Sequence, residues 1–327
     1  MRKVNAAVMI IVAISLVFGV EKAIAAMPIT DIGSLGGWES SANDINNSGL
    51  IVGSSYTELE NEHAILFDNG FMTDLGTLGG GYSYATAINE IGQIVGSSFT
   101  QESNRHAFIY ENGIMRDLGT LGGDKSFAAD INNSGQVVGY SVTVDGDQHA
   151  FLYDNGVMTD LGTIGGCCSV AMGINDNGEI VGWSTDVFAE QHAFLYKNNE
   201  MIDLGTFGGA LSRAWDINDM GQVVGHAHNE DGEKQAFLYQ NGKMIDLGTL
   251  GGNESIAFGI NNMGQIVGKS YNLDGEARGF LYENGLMTEI PTLGGDYSGA
   301  RKINDNGQIV GVSNIEQGNR FGYFFSK

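Results

Sequence analysis

One phrase returns along this chain at an unbroken interval of 43 residues, and it limits what the chain can fold into more than any other feature. Asp-Leu-Gly-Thr-Leu-Gly-Gly begins at Asp74, Asp117 and Asp246, with close variants at Asp31, Asp160, Asp203 and Glu289. The same interval separates seven Ile-Asn pairs, from Ile45 and Asn46 to Ile303 and Asn304, and seven Val-Gly pairs ending at Gly53, Gly96, Gly139, Gly182, Gly225, Gly268 and Gly311. Helical repeats of this length would carry a 3.6-residue apolar period, and none is visible. A period in the low forties built from strand-like pieces and turns is the mark of a propeller blade.

One unit, Ser83 to Gly119, shows the pieces. Strand one is read over 83–89, and Asn89 to Gly92 turns the chain into strand two over 93–98. A seven-residue polar loop follows, then strand three over 106–110 with period-two alternation. Asn112 and Gly113 make a tight hairpin into strand four over 114–119, and the recurring Gly-Gly is expected to bend the chain into the next unit. With 50 Gly and two Pro among 327 residues the chain resembles a linker in bulk composition, but its glycines stand at fixed places among Ile, Val, Leu and Phe.

The phase of the ends predicts how the repeats meet. The sequence stops at Lys327, in the turn after a third strand, and the missing fourth strand is found at 28–32, which aligns with 114–118. Met27 to Lys327 is 301 residues, seven times 43. The expected fold is therefore all-β, a seven-bladed β-propeller with four antiparallel strands per blade. The N-terminal strand completes the blade built by the last three strands, which hides an otherwise exposed edge. An open solenoid would need atypical capping units, and the repeats show none.

Residues 1–25 read as a signal peptide: Arg2 and Lys3, an uncharged stretch from Ala6 to Val20, and Ala23-Ile24-Ala25 as the cleavage site. That stretch is too short to cross a bilayer. The expected mature chain, 26–327, is one domain, a secreted or periplasmic monomer without stable membrane insertion. Cleavage removes Arg2, Lys3, Lys22 and Glu21 and moves the formal charge from −23 to −25. Such a field repels phosphate backbones, so nucleic acid is not an expected partner.

The His-Ala-Phe triplets at His106, His149 and His192, beside the Asp-Leu-Gly-Thr-Leu-Gly-Gly phrase, resemble the extracellular HAF-repeat family. The resemblance covers the whole mature chain and implies export and a propeller-like fold. It implies no reaction. The triplet departs at His63-Ala64-Ile65, Gln235-Ala236-Phe237, Arg278-Gly279-Phe280 and Phe321-Gly322-Tyr323.

Residues with possible chemistry divide into repeated and exceptional. An Asn-Gly hairpin places each repeated His diagonal to the Asp of the next strand: His63 with Asp74, His106 with Asp117, His149 with Asp160, His192 with Asp203. Gln235 with Asp246 and Arg278 with Glu289 continue the series, so these are expected to be structural hydrogen bonds. Histidines on separate blades are too far apart to share a metal, and no metal, cofactor or catalytic residue is assigned. The Gly-rich phrases lack the Lys and following helix of a phosphate loop. Asp145-Gly146-Asp147, Asp231-Gly232-Glu233 and Asp274-Gly275-Glu276 offer too few oxygen ligands for calcium.

The exceptions concentrate in the fourth and fifth units, at positions where other units carry other residue types: Cys167, Cys168, Trp183, Arg213, Trp215, His226 and His228. Strand-one starts and the loops between strands two and three are expected on one face, around the mouth of a central channel. Aromatic platforms flanked by Arg and His there suit a sugar or a peptide. A disulfide between adjacent cysteines would be strained. The functional expectation is a binding module for an extracellular or envelope glycan or protein. The alternatives are a propeller-type polysaccharide lyase or glycosidase, and a purely structural envelope protein.

Overall fold

A computed structural model of the chain describes residues 29–326; the signal-peptide reading falls outside the described residues. The described chain is all-β, 28 strands with no helix among them. In the unit read above the strands are Gly79–Ile88, Ile94–Thr100, Arg105–Glu111 and Ile114–Asp117. They pair in order as an antiparallel meander. Six units follow this plan. The seventh set is Gly294–Ile303, Gln308–Ile315, Arg320–Ser326 and, from the other end of the chain, Ile29–Asp31. Ile29 lies opposite Phe325 and Asp31 opposite Tyr323. Three sheets have four strands, and two have eight because single parallel bridges, Lys125 with Arg105 and Leu211 with Gln191, join neighbouring meanders.

The Gly-Gly pairs do not bend the chain between units, as the sequence led us to expect; they open the first strand. Gly79 pairs with Thr100, and the register then slips before Ser83 pairs with Ser98. The first glycine takes φ of about +104°, and a Cβ on the second, Gly80, would stand 2.6 Å from the Phe99 backbone carbonyl oxygen. The fourth unit departs from this. Its first strand is only Ser169–Ile174, leaving Gly165 to Cys168 outside the sheet.

Other recurring residues are explained by contacts within and between units. A Cβ on the Gly of Val-Gly would meet a carbonyl oxygen of the first strand, at 1.9 Å for Gly96 and Tyr84, so only Gly permits the approach. The strand-one Ser accepts the N–H of the residue in the middle of the preceding unit's triplet: Ala64 to Ser83, Ala107 to Ser126, and so on to Gly279 with Ser298 and Gly322 with Ser40. The Asn of Ile-Asn donates Nδ2 to the carbonyl of its counterpart one unit on, at 2.9–3.1 Å. The seventh of these bonds runs from Asn304 back to Asn46 at 2.9 Å.

Apolar contacts follow the same logic. There is no single core; seven clusters each sit between neighbouring units. One of them gathers Ile32, Ala42 and Ile65 of the first unit's neighbourhood with Val310 of the last. The third residue of each triplet, Phe108 or Phe280 for instance, is fully buried. Each such ring contributes about 2 to 3 kcal/mol by removal from water.

If the contact between last and first units equals the other six, Asn304→Ala and Asn132→Ala should each cost about 2 kcal/mol, since each removes the inter-unit bond and leaves turn N–H groups without their acceptor. Denaturant unfolding of the two variants should give equal losses. A negligible cost for Asn304→Ala alone would show that these two units do not meet in solution.

Candidate functional site

The first strands of successive units touch one another, Gly294–Ile303 with Gly36–Ile45 included. One residue from each of these strands forms the wall of a cavity of about 330 Å³: Asn43, Thr86, Ala129, Met172, Trp215, Phe258 and Arg301. No two of these are alike, although they occupy one position of the repeat. Two of the polar ones are already bonded to the next unit, Asn43 Nδ2 to the Ala85 carbonyl and Thr86 Oγ1 to the Ala128 carbonyl.

The next residue along each strand tells a different story: Asp44, Ala87, Asp130, Gly173, Asp216, Gly259, Lys302. Acid and small residue alternate because each Asp reaches across to the next unit. Oδ2 of Asp44, Asp130 and Asp216 accepts the N–H of Ile88, Ile174 and Ile260, each at 2.9 Å. The neighbour must be small; a Cβ on Gly259 would lie 2.9 Å from the Arg301 carbonyl oxygen. The alternation is broken at Lys302, whose Nζ lies 2.8 Å from Asp216 Oδ1. Burial raises Asp44 from its ordinary value to about 7, against the pull of Lys302. Burial raises Asp130 likewise. Burial opposes the charge on Lys302, but Asp216, Asp130 and Asp44 together outweigh it and hold the ammonium above the usual lysine range.

Beyond this layer the Asn-containing turns surround a second, smaller hollow of about 170 Å³. Their backbone N–H groups donate in series to side chains one unit on: Glu90 to Asn133, Asp176 to Asp219, Asp305 to Asn47. This end of the axis is rich in carboxylates.

Of the exceptional residues, the structure links five. Arg213 lies 5.1 Å over the Trp183 ring and donates Nε to Gln191 Oε1 at 3.0 Å. Arg213 also stands opposite His226 in the sheet. Trp215 donates Nε1 to His226 Nδ1 at 3.1 Å and packs edge-on against Phe258, ring centroids 5.5 Å apart. His228 sits 6.3 Å from His226. His226 is 4% exposed, and burial, with Arg213 and His228 adding to it, lowers its pKa to about 3. It is a neutral acceptor for Trp215 at ordinary pH and holds no proton to donate as an acid. Burial lowers His228 as well, and its Nε2 is buried without a partner. Cys167 and Cys168 lie apart from this chain of contacts, against Thr185; their sulfurs are 2.7 Å apart and both are free thiols.

The histidines of the triplets pair with Asp through Nδ1 and Oδ2 at 2.7–2.8 Å in the first four units. The other carboxylate oxygen caps the turn, as Asp74 Oδ1 accepts the Gly76 N–H. Arg278 joins Glu289 at 3.1 Å, where Pro291 has no N–H for a shorter acid to cap. Gln235 departs from the expected series: its amide donates to the Asn253 carbonyl rather than to Asp246. Among the described residues one trio has ligand atoms within 4.8 Å of one another, Asp186, Glu190 and His192. Asp186 already caps its own loop and His192 Nδ1 is held by Asp203, so the trio is short of the free ligands a metal centre needs.

Arg301 is the residue that the sequence reading missed. It is open to water inside the cavity while its guanidinium is crowded by the walls, and that burial lowers its pKa. Among the described residues no hydrogen bond and no carboxylate engages it. Its signal was present in the sequence as the one cation in a position held elsewhere by Asn, Thr, Ala, Met and aromatics.

Comparison with known proteins supports the fold. The structure is similar to the β-propeller domain of the Trilobed protease from Pyrococcus furiosus, with a TM-score of 0.59 and 10% identity over 88% of this chain and 93% of that one. It is also similar to the WD40 β-propeller domain of Doa1, with a TM-score of 0.54 and 18% identity over 91% and 97%. TolB from Acinetobacter baumannii gives 0.51 and 12% over 94% and 67%. The protein thus has a β-propeller fold. No family model matches the sequence, and no curated protein matches it.

The buried acids make a prediction with a definite sign. Asp44 titrates near 3.8 when unfolded and near 7 when folded, so folding takes up a proton between those values and stability falls as pH rises from about 4 through 7. Asp44→Asn abolishes that component, and its stability relative to the parent should improve from pH 4 to pH 8. Lys302→Met should behave in the opposite way, costing about 3 kcal/mol at pH 8 and less at pH 5, where Asp44 is protonated. Parallel unfolding curves across pH for parent and variants would refute the assignment.

Proposed function

We propose that this chain is an exported, closed seven-bladed β-propeller of the HAF-repeat type that acts as a binding module. Its ligand, a glycan or a protein, docks at the end of the central channel where the first strands begin. The antiparallel pairing of Ile29–Asp31 with Arg320–Ser326 and the return of the Asn series from Asn304 to Asn46 support closure. The amino-terminal stretch from Arg2 to Ala25 supports export.

One observation carries the functional reading. The residues that recur in all units are engaged in bonds between and within units, whereas five of those that break the repeat, Trp183, Arg213, Trp215, His226 and His228, form one connected cluster. Trp183 beneath Arg213, and Trp215 on the cavity wall, belong to that cluster. A flat aromatic ring with a cation beside it recognises a ring-shaped polar ligand through apolar contact on one side and hydrogen bonds at the edge. His226 is neutral and occupied by Trp215, which leaves no poised acid at this place for a hydrolase or lyase.

A thermal-shift and calorimetric screen of the mature protein against polysaccharides and peptides tests this, because a ligand that binds only the folded state raises its melting temperature. Saturable binding without turnover is expected, and Trp215→Ala and Trp183→Ala should weaken it at least about tenfold while retaining the parent's far-ultraviolet spectrum. Binding untouched by either substitution would place the site elsewhere; release of products from the polysaccharide would make the protein an enzyme.

A further inference from the structure

Arg301 stands out in a molecule with a formal charge of −23, because nearly every other buried or half-buried cation has an acidic or aromatic neighbour. Lys302 has Asp216, Arg278 has Glu289 and Glu276, and Arg213 has Gln191 and Trp183. Among the described residues Arg301 has no hydrogen bond, no ion pair and no ring stacked against its guanidinium, and it projects into the cavity walled by Trp215, Phe258 and Met172. A guanidinium cannot lose its charge at ordinary pH and presents a planar fork of N–H donors. Left to itself it is solvated only as far as water fills the lumen. Close by, Tyr297 also lines the cavity and carries Arg320 at 4.9 Å over its ring, so a second cation stands behind the first.

We infer that this cavity binds a carboxylate on a six-membered ring with an apolar face, with Arg301 gripping the carboxylate and Trp215 and Phe258 receiving that face. The inference rests on the binding-module reading and names the chemistry of its ligand. Three features favour a ring-bearing carboxylate over a bare anion. The protein's overall charge repels small anions from a distance, so attraction must come from contact. The wall beside the guanidinium is aromatic, Phe258 on the adjacent first strand and Trp215 on the one before it, and gains by covering an apolar face. The volume of about 330 Å³ has room for one ring with its substituents and not for a globular partner. The carboxylates at the Asn-turn end of the axis, Asp176, Asp219 and Asp305 among them, disfavour entry there. The ligand therefore enters from the opposite face, where the first strands begin. A ligand that displaces water from around Arg301 strengthens the charge-assisted pair it makes there.

Two sources share this chemistry, a uronic acid residue of an acidic polysaccharide and a free aromatic carboxylate. Titrations of the mature protein with glucuronate, galacturonate and benzoate separate them, with glucose and benzamide as uncharged counterparts. Fluorescence reports the event, because Trp215 is one of three tryptophans and lies in the wall; calorimetry confirms it. The expected result is saturable binding of a uronate or of benzoate, at least tenfold weaker for the uncharged counterpart. Arg301→Met should lose at least tenfold in affinity for the carboxylate, and Arg301→Lys should retain part of it. Both variants should melt with the parent, since the guanidinium makes no bond that the fold depends on. Equal affinity for charged and uncharged forms, or an Arg301→Met protein that binds carboxylates like the parent, overturns the inference. Binding of neutral glycans that is lost in Trp215→Ala and kept in Arg301→Met overturns it while leaving the binding-module reading standing. The absence of any ligand for the parent overturns both.

Discussion

Each carboxamide in the series Asn46 to Asn304 joins its own tight turn to the turn of the next unit: its oxygen accepts N–H groups at home, two for Asn46 and one for Asn89, and its nitrogen donates abroad. A group with this double engagement cannot be replaced by an apolar residue without leaving buried N–H and C=O groups unpaired. The rest of the architecture depends on it, because it fixes the distance between neighbouring inner strands and so fixes how closely the meanders pack. The Ser of strand one and the triplet's Ala repeat that linkage further out, and the Phe fills what remains between them. Stability in this protein is therefore a property of the contacts between units, and the interior of any one sheet contributes little alone.

The sequence was legible where one residue type serves the same purpose in every unit. The period, the four strands, the Asn-Gly hairpins and the pairing of residues near Ile29 with the last strand all follow from pattern and phase. The His and Asp of neighbouring strands were visible as a donor facing an acceptor. What was not legible depended on distance across the axis. Asp216 and Lys302 are 86 residues apart and meet through the fold, and no local pattern in either neighbourhood announces it. The Gly-Gly pairs misled for a related reason. They mark a close approach between a strand and its neighbour's backbone, which a sequence reading cannot tell from a bend.

The same division explains why Arg301 was missed and Trp215 was not. Both occupy the cavity-facing position of the inner strand. A tryptophan among small and polar residues attracts notice by rarity, whereas an arginine is common and earns attention only when its partner is found to be missing. Trp183, Arg213, His226 and His228 were grouped by being exceptional, and the structure gives the grouping a physical content: ring over guanidinium, indole to imidazole. Cys167 and Cys168 were exceptional too, but their effect is on the backbone, where they replace the ordered start of a first strand.

The alternation of acid and small residue along the first strands is broken once, at Lys302. The lysine stands among three acids, its ammonium bonded to Asp216 and drawn by Asp130 and Asp44. A single cation from the last unit thus answers carboxylates that lie 86, 172 and 258 residues away in the chain. Charge at this layer is settled collectively: a change at Lys302 is felt by all three acids, and no unit can be altered there as an independent module.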